Sequence, residues 1–201
     1  MRTPNQRDVY SRTMLVACLL ALLAIVGCSV NVKKGENGED KKVDIETPIG
    51  GIHVDNNGNA RDTGLPVYPG ARVKEKEGNG EEKSANVNIS SGRFGLKVVA
   101  VEYLSNDPPA KLIAYYHDQL KRYGKVLECH AAHDGSDVDV HPGGDDSKEL
   151  KCEGDNSGKV VELKVGTKQN QHIVSIRPAD NGKGSDFALV YVQTRGRKDT
   201  I

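Results

Sequence analysis

Six histidines, four cysteines and 28 acidic side chains are the groups in this 201-residue chain that could hold a metal or attack a substrate. They gather most densely at Cys129-His130-Ala-Ala-His133, followed by His141, with Asp134, Asp137 and Asp139 between. Imidazole and thiolate are good zinc ligands. The spacing matches no zinc pattern, and Gly135, Pro142, Gly143 and Gly144 mark the stretch as a polar loop. No metal ligand is assigned on this basis. Metal binding through His130, His133 and His141 stands as an alternative reading. A second stretch places oxygens at Asp55, Asn57 and Asn59, as a calcium loop does. Ala60 then stands where that loop needs Gly, and Pro66 where it needs a bidentate Glu. An Asn/Gly turn is the better reading.

Signatures of catalysis are missing. There is no G-x-S-x-G elbow, no phosphate-binding G-x-x-x-x-G-K-[ST], no G-x-G-x-x-G and no H-E-x-x-H. Ser90 and Ser91 have no His or Asp at a telling spacing, and the carboxylates sit in hydrophilic stretches. No catalytic residue and no cofactor is assigned. A hydrolase whose site forms only in the fold is the second alternative. Lys and Arg together also number 28, so the net charge is zero. A neutral chain has no general attraction to phosphate backbones, which argues against a nucleic-acid partner.

The elements that would carry these groups can be read from periodicity. Val43, Ile45 and Thr47 alternate with acidic residues, Pro48 to Gly51 supplies turn chemistry, and Ile52 and Val54 resume the alternation. A small hairpin is expected there. Val73 and Ala85–Ile89 suggest two antiparallel strands joined at Gly78–Gly80. Lys97–Leu104 is rich in β-branched residues and apolar on both faces, as a central strand is. Leu112, Ile113, Tyr116, Leu120 and Tyr123 recur at helical spacing. Asp107 is the expected cap, Pro108 the first helical residue and Gly124 the left-handed stop, with His117 on the rim. Strands follow at Lys125–Cys129, Leu150–Glu153, Val161–Val165, His172–Arg177 and Phe187–Val192. One helix between runs of strands is an α+β pattern. The expected fold is a mostly antiparallel sheet with the amphipathic helix packed on one face.

The N-terminus reads as an address. Arg2, Arg7 and Arg12 precede thirteen apolar residues, Met14–Val26, and then Gly27 and Cys28. This is the order of a secretory signal. Thirteen helical residues span about 20 Å, against a hydrocarbon core of about 30 Å. Ile25-Val26-Gly27-Cys28 resembles the lipobox of bacterial lipoproteins. The resemblance implies cleavage before Cys28 and attachment of diacylglyceryl and further acyl groups, palmitate among them, at that residue. Two or three chains hold a protein on a leaflet where one does so only marginally. Ser29, where Asp would mark retention, implies the outer membrane in a cell with two membranes.

Export implied in this way places the rest of the chain in an oxidising compartment. Cys18 would leave with the signal and Cys28 would be acylated. Cys129 and Cys152 would then remain to form a disulfide, facing each other if their strands are neighbours. The expected organisation is a signal peptide at 1–27, a lipidated Cys28 with a disordered polar tether to residue 42, a hairpin and loop at 43–63, an α+β domain at 64–195 and a polar tail at 196–201.

The body also resembles segments of uncharacterised bacterial envelope proteins. The matching residues are Val43-Asp-Ile45-Glu-Thr47-Pro48-Ile-Gly50-Gly51 and Leu65-Pro66-Val-Tyr68-Pro69-Gly70-Ala71. Some lipoproteins with a similar Pro-Tyr-Pro-Gly-Ala start continue into a Tyr-rich helix, as at Tyr115-Tyr116. This resemblance implies a fold type and an envelope address, with no activity to carry over. The expectation is a lipid-anchored binding, structural or assembly module, not an enzyme, with an envelope protein or ligand as partner.

Overall fold

The computed structural model describes residues 28–34, 40–56, 58–75, 82–92, 94–132, 149–152, 156–180 and 182–195. The signal segment 1–27, the Gly78–Gly80 turn, His133, His141, Asp134, Asp137, Asp139 and the tail 196–201 lie outside the described residues.

The strands are β1 (Ser29–Lys34), β2 (Asp40–Thr47), β3 (Gly50–Asp55), β4 (Arg72–Val73), β5 (Ser84–Ser91), β6 (Phe94–Ser105), β7 (Leu127–Ala131), β8 (Val160–Thr167), β9 (Asn170–Pro178) and β10 (Ser185–Arg195). They form one antiparallel sheet in the order β1-β2-β3-β5-β6-β10-β9-β8-β7, with β4 pairing the end of β6. Helix α1 (Pro109–Leu120) tightens into a 3₁₀ turn at Lys121–Tyr123 and packs on β8 and β9. The expected architecture, a mostly antiparallel sheet with one helix packed on it, is the one observed.

Alternation along the strands decides the two faces, because directly paired residues point to the same side. Toward the helix lie Val99, Val101 and Tyr103 of β6, Phe187 and Leu189 of β10, Val174 and Ile176 of β9, and Leu163 and Val165 of β8, all nearly inaccessible. Leu112, Tyr116 and Leu120 close this core from α1. The remaining cover is the segment from Ala60 to Val73. It contributes Leu65, and Tyr68 packs edge-on against Tyr115 at 5.1 Å. Burial pushes the Tyr116 hydroxyl well above the usual phenol range, and that hydroxyl donates to the Pro66 carbonyl at 3.2 Å.

Two details secure this cover. Gly58 passes so close to the sheet that a Cβ there would meet the Ala100 and Ala85 carbonyl oxygens at 2.8 and 2.9 Å. Gly64 ends a 3₁₀ turn (Ala60–Thr63) at φ 71°, and its carbonyl accepts from Tyr123 Oη at 2.5 Å and from Arg122 at 2.8 Å. His172 stacks on Tyr123 at 4.0 Å, with Nδ1 2.8 Å from the Thr63 carbonyl, so that nitrogen carries the proton.

The opposite face carries a second apolar set, Ile173, Val190 and Val192, with Leu96, Val98, Ala100 and Ala188. The β-ladder continues it outward through Val87 and Ile89, Val54 and Ile52, Val43 and Ile45, to Val30 and Val32. On the helix side those same outer strands are polar, with Asp44, His53, Asp55 and Asn88. The apolar face of the outer strands is therefore the one that points away from α1.

Several expectations are corrected. Ser29–Lys34, expected as a disordered tether, is strand β1: Val30 and Val32 alternate with polar residues and pair with Ile45 and Val43. The hairpin β2–β3 joins the main sheet through β5. Both β4 and β5 pair with β6, and the Glu75–Glu82 bridge joins their connecting arms. The helix starts at Pro109, because Pro108 occupies the cap position with ψ 154°. Asp107 lies one residue too early to cap, and its carboxylate instead accepts from Tyr68 Oη and Lys111 Nζ at 3.0 and 2.7 Å. Gly124 has φ 140° and ψ −158°, outside the left-handed helical region. Glu149–Cys152 contains no strand.

Candidate functional site

A cleft of about 300 Å³ opens on the face away from α1, at the end where β4 and β5 meet β6. Its floor is Ala100, Ala188 and Val190, whose small side chains leave room. Its walls are Lys74, Lys83, Glu102, Ser175, Arg177 and Asp186. The backbone builds this corner. Lys74 N–H donates to the Glu102 carbonyl, Glu102 N–H to that of Lys83, and Lys83 N–H to that of Lys74, at 2.9, 2.9 and 2.7 Å. Three strands are thereby joined at one point, and their charged side chains converge.

Asp186 is the centre of the charge pattern and is only 6% exposed. Its Oδ2 accepts from Lys74 Nζ at 2.6 Å and from Arg177 Nη2 at 2.8 Å. Glu102 lies 3.8 Å from both Lys74 and Lys83, and Arg177 also donates to Asp180 at 2.6 Å. Charge-assisted bonds of this kind are roughly twice as strong as neutral ones. Among the described residues lining the cleft, Ser175 is the one hydroxyl and no histidine is present. The arrangement offers charged hydrogen bonds over an apolar floor, and no nucleophile–base pair. Such a floor and rim can hold a small ligand with a charged group.

A second polar cluster occupies the other face of the outer strands. His53 sits between Asp44, which contacts Nδ1, and Asp55, 2.8 Å from Nε2. The Asp55 and Asp44 bonds hold the imidazole above its usual range. Partial burial pushes the Asp44 carboxyl up, but the His53 and Lys42 hydrogen bonds outweigh it and the net shift is downward. His172 is shifted the other way, because burial disfavours its charged form. The ion pair Glu162–Lys164, 2.9 Å apart, is buried on the β8 surface away from α1.

Of the residues singled out in the sequence, Cys129 and Cys152 are joined by a disulfide. Cys129 reaches the bond from β7, and Cys152 from an irregular segment. Cys28 is exposed and has a free thiol. His130 Nε2 lies 3.6 Å from Glu128. Among the described residues no group of three His, Cys, Asp or Glu side chains could hold a metal ion, and His133 and His141 are not among them. Also among the described residues, no helix is long and apolar enough to cross a membrane. Sequence reasoning missed both clusters. Lys74 and Asp186 are 112 residues apart, beyond any local pattern. The Asp44–His53 pairing could have been seen by laying the expected hairpin in register. No protein family, no curated protein and no solved structure matches the chain.

Two outcomes are expected. Asp186→Ala leaves Lys74 and Arg177 without their shared partner. It should lower unfolding stability by about 2 kcal/mol, less than the ~3–5 of a fully buried pair because both cations keep some solvent contact. Asp186→Asn, which keeps an acceptor, should lose less in the same denaturant titration. The raised His53 makes a stability contribution that is complete below the unfolded imidazole value near 6.5. That contribution fades as pH rises through the folded value. His53→Gln should remove this fade, and NMR titration should find His53 ionising above, and His172 below, a free histidine.

Proposed function

We propose that the protein is an exported lipoprotein, acylated at Cys28, whose domain serves as a binding or assembly module on a membrane leaflet facing away from the cytoplasm. The observation that carries this reading is the disulfide between Cys129 and Cys152, which leaves Cys28 as the free thiol of the described residues. Disulfides persist in oxidising compartments and are rare in the cytosol. The run Met14–Val26 before Ile25-Val26-Gly27-Cys28 supplies the matching address. Cys28 sits exposed at the head of β1, where an acyl-transferring enzyme and a bilayer could both reach it. Ser29 favours the outer membrane in a cell with two membranes.

The working surface in this reading is the cleft around Asp186. Its cations and carboxylates suit a ligand or partner segment carrying charge of both signs over a small apolar body.

Intact-mass measurement on the chain recovered from bacterial membranes tests the reading. The expected species begins at Cys28, carries diacylglyceryl and acyl groups, and is two hydrogens lighter than the fully reduced form. Cys28→Ala should abolish acylation and membrane recovery. A chain starting at Met1, soluble in the cytosol with every thiol free, would refute it.

A further inference from the structure

We infer that the corner of the sheet beside Cys28 lies on the phospholipid bilayer, with Ile49, Val30 and Val32 in its interfacial layer. The inference rests on acylation of Cys28 and adds which surface the anchor brings down. It follows from the absence of slack. Strand β1 begins at Ser29, the residue after Cys28. A strand advances about 3.4 Å per residue, so the Val30 backbone is within roughly 7 Å of the acylated residue.

The register places the next contact. Ser29 pairs with Glu46, so Thr47 stands beside Cys28 and the Pro48-Ile49 turn projects from that same end. Ile49 is 81% exposed, Val30 63%, Val32 42% and Ile52 38%. These four make up most of the large apolar side chains left exposed among the described residues, and all belong to the first three strands or their turn. Val30, Val32 and Ile52 share one face, through their pairing with Ile45 and Val43.

Exposed apolar side chains grouped this way mark an interaction surface. The acyl chains argue for what covers it: the Val30 backbone and the Pro48-Ile49 turn stand beside the acylated residue, within reach of the ~5–10 Å interfacial zone, and a sheet laid on its apolar face brings Val32 down with them. The carboxylates Asp44 and Asp55 lie on the opposite face, bound to His53, so contact through the apolar side keeps them from anionic headgroups.

The chain contains no tryptophan, so one introduced by substitution reports alone. The full chain is expressed in a bacterium and recovered from its membranes as Ile49→Trp, or as Ala114→Trp on the outer side of α1. Each is reconstituted in phosphatidylethanolamine–phosphatidylglycerol vesicles with and without brominated acyl chains. Ile49→Trp should emit at shorter wavelength, lose most of its emission to bromine and resist aqueous iodide. Ala114→Trp should be quenched by iodide alone. Equal iodide quenching of both variants on an acylated chain would overturn the proposal and leave the anchor standing. So would a blue shift at position 49 without bromine quenching, which would assign the surface to a second copy. A mass showing Cys28 unmodified would overturn the anchor, and this proposal with it.

Discussion

The pairing of β6 with β10 is the constraint on which the rest depends. The two strands run antiparallel without a break from Ser105–Ser185 to Gly95–Arg195. Both are apolar on both faces, so neither can serve as the wall of a one-sided sheet. On one side Val101, Tyr103, Phe187 and Leu189 are sealed by α1 and by the chain through Leu65 and Tyr68. On the other, Val190 and Val192 are also buried. Everything outward of β6 then inherits its inside and outside from this register. The outer strands place apolar residues on the face away from α1 because Val87 and Ile89 are paired with Val98 and Leu96.

That inheritance explains how charge is distributed. The polar face of β2 and β3 groups Asp44, His53 and Asp55 where no apolar cover is needed. The cleft forms where the ladder branches: β5 leaves β6 at Val101 and β4 takes over at Tyr103. The gap between them brings Lys74, Lys83 and Glu102 to one corner, and β9 and β10 add Arg177 and Asp186. Away from this corner the Cys129–Cys152 bond ties an irregular segment to β7. Closing a loop of 23 residues is worth about 3 kcal/mol on the chain-entropy estimate, a sizeable share of a typical domain's stability.

Much of the fold was legible because its strands and helix obey simple periods. Leu112, Tyr116 and Leu120 are all fully buried, as their spacing required. Phe187 and Leu189 face the helix while Val190 and Val192 face away, as their alternation required. The failures share a cause. Ser29–Lys34 was expected to be a tether on its charge, when two valines at alternate positions were enough once β2 offered Val43 and Ile45 as partners. The helix cap moved because Pro108 and Pro109 compete for the same place and only one can be helical. The cleft was hidden for a different reason: its residues come from β6, β9, β10 and the arms after β4 and before β5, and are joined by contacts that no local window contains.

Residue-level hydrogen exchange on the acylated protein tests most directly the claim that order begins one residue after Cys28 on a sheet organised by β6 and β10. The account predicts that β6 and β10 amides exchange only by global unfolding, and that Ser29–Lys34 amides facing β2 are protected to a lesser but measurable degree. Exchange of Ser29–Lys34 at the rate of an unstructured peptide, or of β6 and β10 as fast as β2 and β3, would contradict it.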